Sequence, residues 1–126
     1  MPSAEQVQAA VDAYVAAYMK NDRDAFLDAF ADDGVIEDPV GTPAHKGRDA
    51  RGAFWDTVHQ LTEQMTFDVK DVVVCDSEAA MVFRIHAGTA DAGIVLDAVD
   101  IFEVDDHGKI TSMRAYWDMG RATPVT

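Results

Sequence analysis

Apolar side chains recur every three or four positions between residues 4 and 21, and Tyr14 belongs to this stripe. Ser3 followed by Gln6 resembles a capping box, in which side chains satisfy the free amides of a helix start. The pattern therefore predicts an amphipathic helix over about residues 4–21 with Tyr14 on its buried side.

The next segments change character several times. A shorter helix that includes Phe30 is predicted to end before residues 32–34, where Asp-Asp-Gly is typical of a turn. Residues 35–38 read as a short strand, and a Gly/Pro-rich loop then extends to Gly47. The helical period returns in a third helix that begins near Asp49.

From residue 65 onward, apolar and polar positions alternate with a period of two, which is typical of β-strands. Short stretches rich in Asp, Gly and Ser separate the strands as hairpin turns. The predicted strands are residues 65–74, 79–87, 94–104 and 109–118. Three N-terminal helices followed by strands predict a single α+β domain over residues 1–126, in which a curved sheet wraps around the helices as a cone with an apolar mouth.

One acidic residue lies on an apolar phase of a predicted strand. Asp100 alternates with Leu96, Ala98 and Phe102, so its carboxyl group points where its neighbours are apolar. A carboxyl group in such surroundings either finds a partner or keeps its proton and donates a hydrogen bond. The alternative is that the odd positions around Val99 mark the core face and Asp100 is solvated.

Two more polar residues are candidates for chemistry. Asp38 ends a predicted strand before Pro39, a position typical of a turn but also open to a general base. Tyr14 in a buried helical stripe is ordinarily a core residue whose hydroxyl finds a local acceptor. Their spacing alone does not distinguish these interpretations.

Composition excludes several classes of partner. The chain has 126 residues, 23 Asp plus Glu against 10 Lys plus Arg, and a formal net charge of −13, which repels nucleic acid and anionic membranes. No apolar run is long enough to span a bilayer, and the start lacks a basic secretory signal, so we expect a cytoplasmic protein. Cys75 is the single cysteine and is interpreted as a packing residue. No metal or cofactor motif is present, and none is expected.

Five segments together resemble bacterial steroid Δ5-isomerases (ketosteroid isomerases). They are Ala-Phe-Ala-Asp-Asp at 29–33, Val-Ile-Glu-Asp-Pro-Val-Gly at 35–41, the helix around 11–17, Asp-Ile-Phe at 100–102 and Ser-Met-Arg-Ala at 112–115. The likeness extends over nearly the whole chain. It implies the cone-shaped fold of proteins similar to nuclear transport factor 2, with a curved mixed sheet around three helices.

The resemblance also implies roles. Asp38 would remove and return a proton, and Tyr14 and a protonated Asp100 would donate to the steroid 3-oxygen. The implied activity moves the double bond of a 3-oxo-Δ5-steroid into conjugation, in a homodimer, without a cofactor. One residue departs from the family pattern, because Trp55 stands where a second tyrosine hydroxyl would support Tyr14, and an indole donates but does not accept.

Large apolar residues provide candidates for a ligand pocket, and their alternative interpretation is ordinary core. These candidates are Phe30, Phe54, Trp55, Met81, Phe83, Phe102, Met113 and Trp117. The four histidines are scattered, and each is expected to have a surface or structural role. They are His45 and His107 in loops, His59 near a helix end and His86 on a polar strand phase.

Two other functions remain open for a chain of this kind. A polyketide cyclase of similar fold would begin with the same enolisation but would need an acid at a second carbonyl. A non-catalytic ligand-binding module would favour apolar residues at positions 14, 38 and 100, whereas all three are ionisable here. The ionisable side chains therefore favour an enzyme, and the resemblance implies that its substrate is a small apolar ketone or steroid.

Overall fold

The structure is a computed structural model that describes residues 1–89 and 91–125, with the backbone alone at Gln64. Within the described residues, three helices lie in the first half of the chain: α1 (Ala4–Met19), α2 (Arg23–Asp28) and α3 (Arg48–Leu61). Two strands separate α2 from α3. The capping box at the start of α1 is present, since Ser3 and Gln6 each accept a hydrogen bond from the other's backbone amide. No described helix has both the length and the apolar character needed to cross a bilayer.

In the described part of the chain, seven strands form one curved, open, mixed sheet in the order β2-β1-β6-β5-β4-β3, and the short β7 pairs with the first residues of β5. A 3-10 turn, Met119–Arg121, precedes β7. The strands are β1 (Phe30–Glu37), β2 (His45–Lys46), β3 (Gln64–Cys75), β4 (Glu78–Gly88), β5 (Gly93–Val104), β6 (Ile110–Tyr116) and β7 (Thr123–Val125). The predicted α+β fold and its four long C-terminal strands are confirmed. The interpretation of Cys75 as a packing residue is wrong, because this side chain is exposed at the end of β3.

The prediction that the second helix contains Phe30 is wrong. Helix α2 ends at Asp28, and Phe30 begins β1, where it pairs with Ile110 in the parallel ladder between β1 and β6. The amide of Ile110 donates to the carbonyl of Ala29 at 3.0 Å. This non-local hydrogen bond draws the chain into an extended conformation that local helical spacing does not reveal.

The helices cover the concave face of the sheet, and the core is aromatic around Tyr14. Its ring contacts those of Phe26, Phe67 and Phe102, with ring centroids 5.0–6.3 Å apart. Strand β1 lies between β2 and β6, so the residue that follows it, Asp38, is brought to the same concave side as the inward-facing residues of β5. The fold thus brings together side chains from distant parts of the sequence.

Candidate active site

A cavity of about 800 Å³ occupies the concave side of the sheet, between the helices and the inward-facing residues of the strands. Its walls are mostly apolar and include Phe54 of α3, Phe67 of β3, Phe83 of β4 and Leu96 of β5. The volume is within the range of small-molecule sites. The carboxyl groups of Asp38 and Asp100 and the hydroxyl groups of Tyr14 and Tyr18 reach it, and their local environments differ.

Asp100 lies on the concave face of β5, as its alternation with apolar neighbours predicted. It is opposite Met81 of β4 and Ala115 of β6, lines the cavity and is only 2% exposed. Burial raises the pKa of its carboxyl group well above the usual range, and the nearby charge of Asp38 raises it further. These surroundings favour the protonated form, which is a hydrogen-bond donor.

Tyr14 reaches the same cavity from α1 and is 2% exposed. Burial is the main cause that raises the pKa of its hydroxyl well above the usual value, and the carboxyl groups of Asp100 and Asp38 raise it as well. The ring is held edge-on against Phe102, with centroids 5.0 Å apart. Tyr14 is therefore a fixed, protonated donor beside Asp100.

Tyr18 is a cavity residue that the sequence interpretation missed. It lies one helical turn after Tyr14, lines the cavity and has its ring 5.2 Å from the Tyr14 ring. A hydrogen-bonding interaction between the two side chains affects both pKa values, and the pKa of Tyr18 is raised by burial first and then by Asp38. The i, i+4 spacing of two tyrosines in one buried stripe is the signal that could have identified it.

Asp38 follows β1 directly and is half-buried in the cavity wall. The indole Nε1 of Trp117 donates to its Oδ1 at 2.6 Å. Burial raises the pKa of Asp38, whereas the hydrogen bond from Trp117 and the neighbouring His45 oppose that rise. Because the indole donates to the ionised form, the carboxylate is both desolvated and oriented, as a general base requires.

The structure separates the eight candidate lining residues into two groups. Phe54, Phe83 and Trp117 line the cavity. Contrary to the prediction, the other five do not line it and are buried in the core: Phe30, Trp55, Met81, Phe102 and Met113. Alternation predicts which side of the sheet a residue faces, but the inward side includes both the cavity and the tightly packed region around the helices.

Trp55, which stands where the family pattern would have a supporting tyrosine, packs among aromatic side chains of the core. Its ring contacts Tyr18 and Phe26, each with centroids 4.8 Å apart, and stacks on His59 at 4.0 Å. The hydroxyl that interacts with Tyr14 belongs to Tyr18. The aromatic neighbour of Tyr14 along its own helix thus provides a hydroxyl that Trp55 lacks.

His45 also differs from its predicted surface or structural role. It belongs to β2, where it pairs with Ile36 of β1, and its ring lines the cavity against Phe54 with centroids 5.0 Å apart. A two-residue strand inside a Gly/Pro-rich segment has no periodicity of its own. Its inward orientation was therefore not visible in the sequence.

The arrangement combines one oriented carboxylate with two buried donors in an apolar cavity. Asp38 is suited to taking a proton from a carbon acid, and Tyr14 and Asp100 are suited to stabilising the oxyanion formed. Buried donors of this kind are most effective where water is excluded. Within the described part of the chain, no group of three or more His, Cys, Asp or Glu side chains is suited to a metal ion.

Known proteins provide an independent comparison. The SnoaL-like domain family matches residues 11–113. The chain is 31% identical over 115 residues to the steroid Delta-isomerase of Nocardioides simplex, covering 91% of this chain and 92% of that protein.

Solved structures give the same fold. RV0760c of Mycobacterium tuberculosis has a TM-score of 0.88 at 26% identity, over 99% of this chain and all of that chain. The Delta 5-3-ketosteroid isomerase from Mycobacterium sp. has a TM-score of 0.85 at 26% identity, over 95% of this chain and 98% of that chain. These similarities confirm the resemblance drawn from the sequence motifs, and the chain belongs to the SnoaL-like domain family, within the fold of nuclear transport factor 2.

Proposed function

We propose that this protein is a steroid Δ-isomerase that moves the carbon–carbon double bond of a 3-oxo-Δ5-steroid into conjugation with the ketone. The observation that carries the proposal is the convergence of Asp38, Tyr14 and Asp100 on one apolar cavity. The choice of a steroid is supported by the relative named steroid Delta-isomerase. RV0760c has also been crystallised with estradiol-17beta-hemisuccinate.

The reaction needs a base and a stabilised oxyanion. Asp38 removes a proton from the carbon between the ketone and the double bond, which produces a dienolate. Tyr14 and protonated Asp100 donate hydrogen bonds to the dienolate oxygen, where negative charge develops. Asp38 then returns the proton to the far end of the conjugated system, so that atoms and charge balance without a cofactor.

The electrostatic environments of Asp38 and Asp100 support their different roles as base and as hydrogen-bond donor. The pKa of Asp100 is raised well above its usual range, which favours the protonated donor, and one cause is the charge on Asp38. The pKa of Asp38 is also raised, but the Trp117 hydrogen bond favours its ionised form. A base with a raised pKa binds the transferred proton more strongly than an exposed aspartate would.

The test is a spectrophotometric assay with a 3-oxo-Δ5-steroid, in which the absorbance of the conjugated enone reports turnover. We expect the unmodified protein to be active and Asp38→Asn to lower turnover by about 10²- to 10⁴-fold, the range for general acid–base catalysis. Binding of the 3-oxo-Δ4 product should survive in Asp38→Asn. Asp33→Asn, an exposed change in the preceding strand, is the matched control and should retain full turnover.

Two outcomes would contradict the proposal. Unchanged turnover in Asp38→Asn would remove Asp38 from the mechanism. Product binding without any turnover in the unmodified protein would favour a non-catalytic steroid-binding module instead.

A further inference from the structure

His45 is the histidine that faces the main cavity. His59 and His86 line a neighbouring, more polar cavity of about 650 Å³, and His107 is exposed in the turn between β5 and β6. His45 is half-buried, and its ring lies against the Phe54 ring in the cavity wall. The mechanism proposed above gives this side chain no task.

The ring nitrogens of His45 have no hydrogen-bond partner among the described residues. Within residues 1–89 and 91–125, His45 makes no hydrogen bond or ion pair. His59, by contrast, bonds the carbonyl of Trp55 through Nδ1 at 2.8 Å. An imidazole always has at least one N–H donor and, when neutral, one acceptor, so a partner from a ligand would satisfy it.

The sheet separates His45 from the oxyanion donors. His45 lies on β2 and Asp100 on β5, and β1 and β6 lie between them in the sheet order. Three strand spacings of roughly 4.8 Å place the two strands on the order of 14 Å apart along a flat sheet, and somewhat closer on a curved one. Asp38 follows β1 and lies between them, close enough to His45 for that side chain to lower its pKa.

We propose that His45 binds a second oxygen function of the ligand, a hydroxyl or a carbonyl at the end remote from the enolisable ketone. The ligand class is therefore an elongated apolar ring ketone with oxygen at both ends. This inference rests on the proposed function and adds a determinant of specificity to it. A site with a partly buried polar group discriminates against a ligand that leaves the group unpaired, whereas apolar walls discriminate weakly.

The test compares two 3-oxo-Δ4-steroids that differ only in the presence or absence of a hydroxyl or ketone on the five-membered ring. Both are products, so calorimetric dissociation constants are measured without turnover. The unmodified protein should bind the oxygenated steroid about 5- to 30-fold more tightly, as expected for one hydrogen bond in a partly buried site. In His45→Phe, which keeps a ring against Phe54, this ratio should fall to about 1–2.

Two further variants complete the design. His107→Phe changes an exposed histidine and should keep the full ratio. His45→Asn keeps a donor and an acceptor and should retain part of the ratio, which provides a second measurement if His45→Phe folds poorly.

The outcomes separate this inference from the proposed function. Equal affinity of the unmodified protein for the two steroids, or a full ratio in His45→Phe, would overturn the role of His45 and leave the isomerase proposal standing. If the unmodified protein bound neither steroid and did not isomerise the 3-oxo-Δ5-steroid, the proposed function would fail, and this inference would fail with it.

Discussion

Asp38 and Asp100 are chemically identical side chains in different electrostatic environments of one cavity. Asp100 is almost fully buried, between Met81 and Ala115 of the adjacent strands. Asp38 is half-buried and accepts a short hydrogen bond from Trp117. Because the indole N–H donates a hydrogen bond and cannot accept one, it favours the ionised form of Asp38, whereas the buried surroundings of Asp100 favour its protonated form.

This difference predicts a contrast between two substitutions of Asp100. Asp100→Asn keeps a donor of similar shape and should retain much of the turnover. Asp100→Ala and Tyr14→Phe each remove one donor to the oxyanion and should lower turnover by about 10²- to 10³-fold. The measurement is the enone absorbance assay on the variants side by side, with Glu103→Gln on the outer face of β5 as the control.

The protonation of Asp100 should also affect the free energy of unfolding. A carboxyl group whose pKa is raised by folding contributes stability that is fully present below its unfolded pKa and is lost as the pH rises through its folded pKa. The unmodified protein should therefore lose free energy of unfolding relative to Asp100→Asn as the pH rises from about 4 toward neutrality. Parallel stability profiles, together with equal turnover of the Asn and Ala variants, would count against a protonated Asp100.

For individual residues, the sequence predicted which face of the sheet a side chain occupies. It did not predict whether that side chain lines the cavity or is buried in the core. Alternation placed Asp100 on the inward face, and the family resemblance singled out Asp38 and Tyr14. The structure brings all three to one cavity. Core residues such as Phe102 share the inward phase of that strand, so periodicity could not separate lining from core. Tyr18 was overlooked because a second tyrosine in a buried stripe looks like ordinary packing.

In strand β1, the backbone at Gly34 lies close to other backbone atoms, and this contact restricts which residue the position accepts. Its pairing with β6 is interrupted between Phe30 and Val35, and Gly34 lies in this irregular part. A Cβ at Gly34 would be 2.8 Å from the carbonyl oxygen of Ile110 and 3.0 Å from that of Ala31. Only a residue without a side chain fits between these backbone atoms.

The strand is also anchored from α3. Buried Arg51 donates from Nη1 to the carbonyl of Gly34 at 2.7 Å, and its guanidinium lies 5.0 Å from the centre of the Phe30 ring. The amide of Gly47 donates to the same carbonyl at 3.1 Å. These contacts fix the strand that Asp38 follows directly, so the position of this proposed base depends on the packing of β1.

Two glycine substitutions test this close approach. Gly34→Ala should lower the free energy of unfolding by about 1–3 kcal/mol, because the new methyl group meets backbone oxygens that cannot move aside. Gly52→Ala is the matched control in α3, where the nearest atom, Nη2 of Arg23 at 2.6 Å, ends a flexible side chain. The control should be neutral or more stable by up to about 1 kcal/mol, since alanine favours helix.

Both values come from denaturant unfolding monitored by circular dichroism. A Gly34→Ala variant as stable as the unmodified protein would show that β1 tolerates a side chain there, and the proposed constraint would be wrong.

At the scale of elements, long periodic segments were predicted well and short ones were not. The four C-terminal strands each have enough alternating positions to define a period. Strands β2 and β7 have two and three residues and are defined by their pairing with β1 and β5. The Asp-Asp-Gly sequence resembles a turn, yet the long-range pairing with β6 makes it part of β1.

The whole molecule presents an apolar row on the outer face of the sheet. Val82, Val99 and Tyr116 are direct neighbours across β4, β5 and β6. Val82 is 42% exposed and Tyr116 is 43% exposed. Since such a row would otherwise face water, we expect a second copy of the chain to cover it in a homodimer.

Sedimentation velocity at micromolar concentration measures the oligomeric state and tests this expectation. The unmodified protein should sediment as a dimer, and Val82→Glu should shift it to a monomer, because the dimer would bury two unpaired carboxylates. Val125→Glu places the same charge on exposed β7, away from the row, and should leave the dimer intact. A monomeric unmodified protein would refute the expectation.

The hydrogen bond between Trp117 and Asp38 joins residues that are 79 positions apart. During synthesis, residue 38 leaves the ribosome long before residues 110–117, so neither the parallel ladder between β1 and β6 nor the oriented carboxylate can form until then. Contacts of such long range slow folding and leave strand edges exposed to aggregation in the interim. Until residues 110–117 emerge, the nascent chain would therefore hold β1 without its β6 partner and Asp38 without the hydrogen bond that orients it.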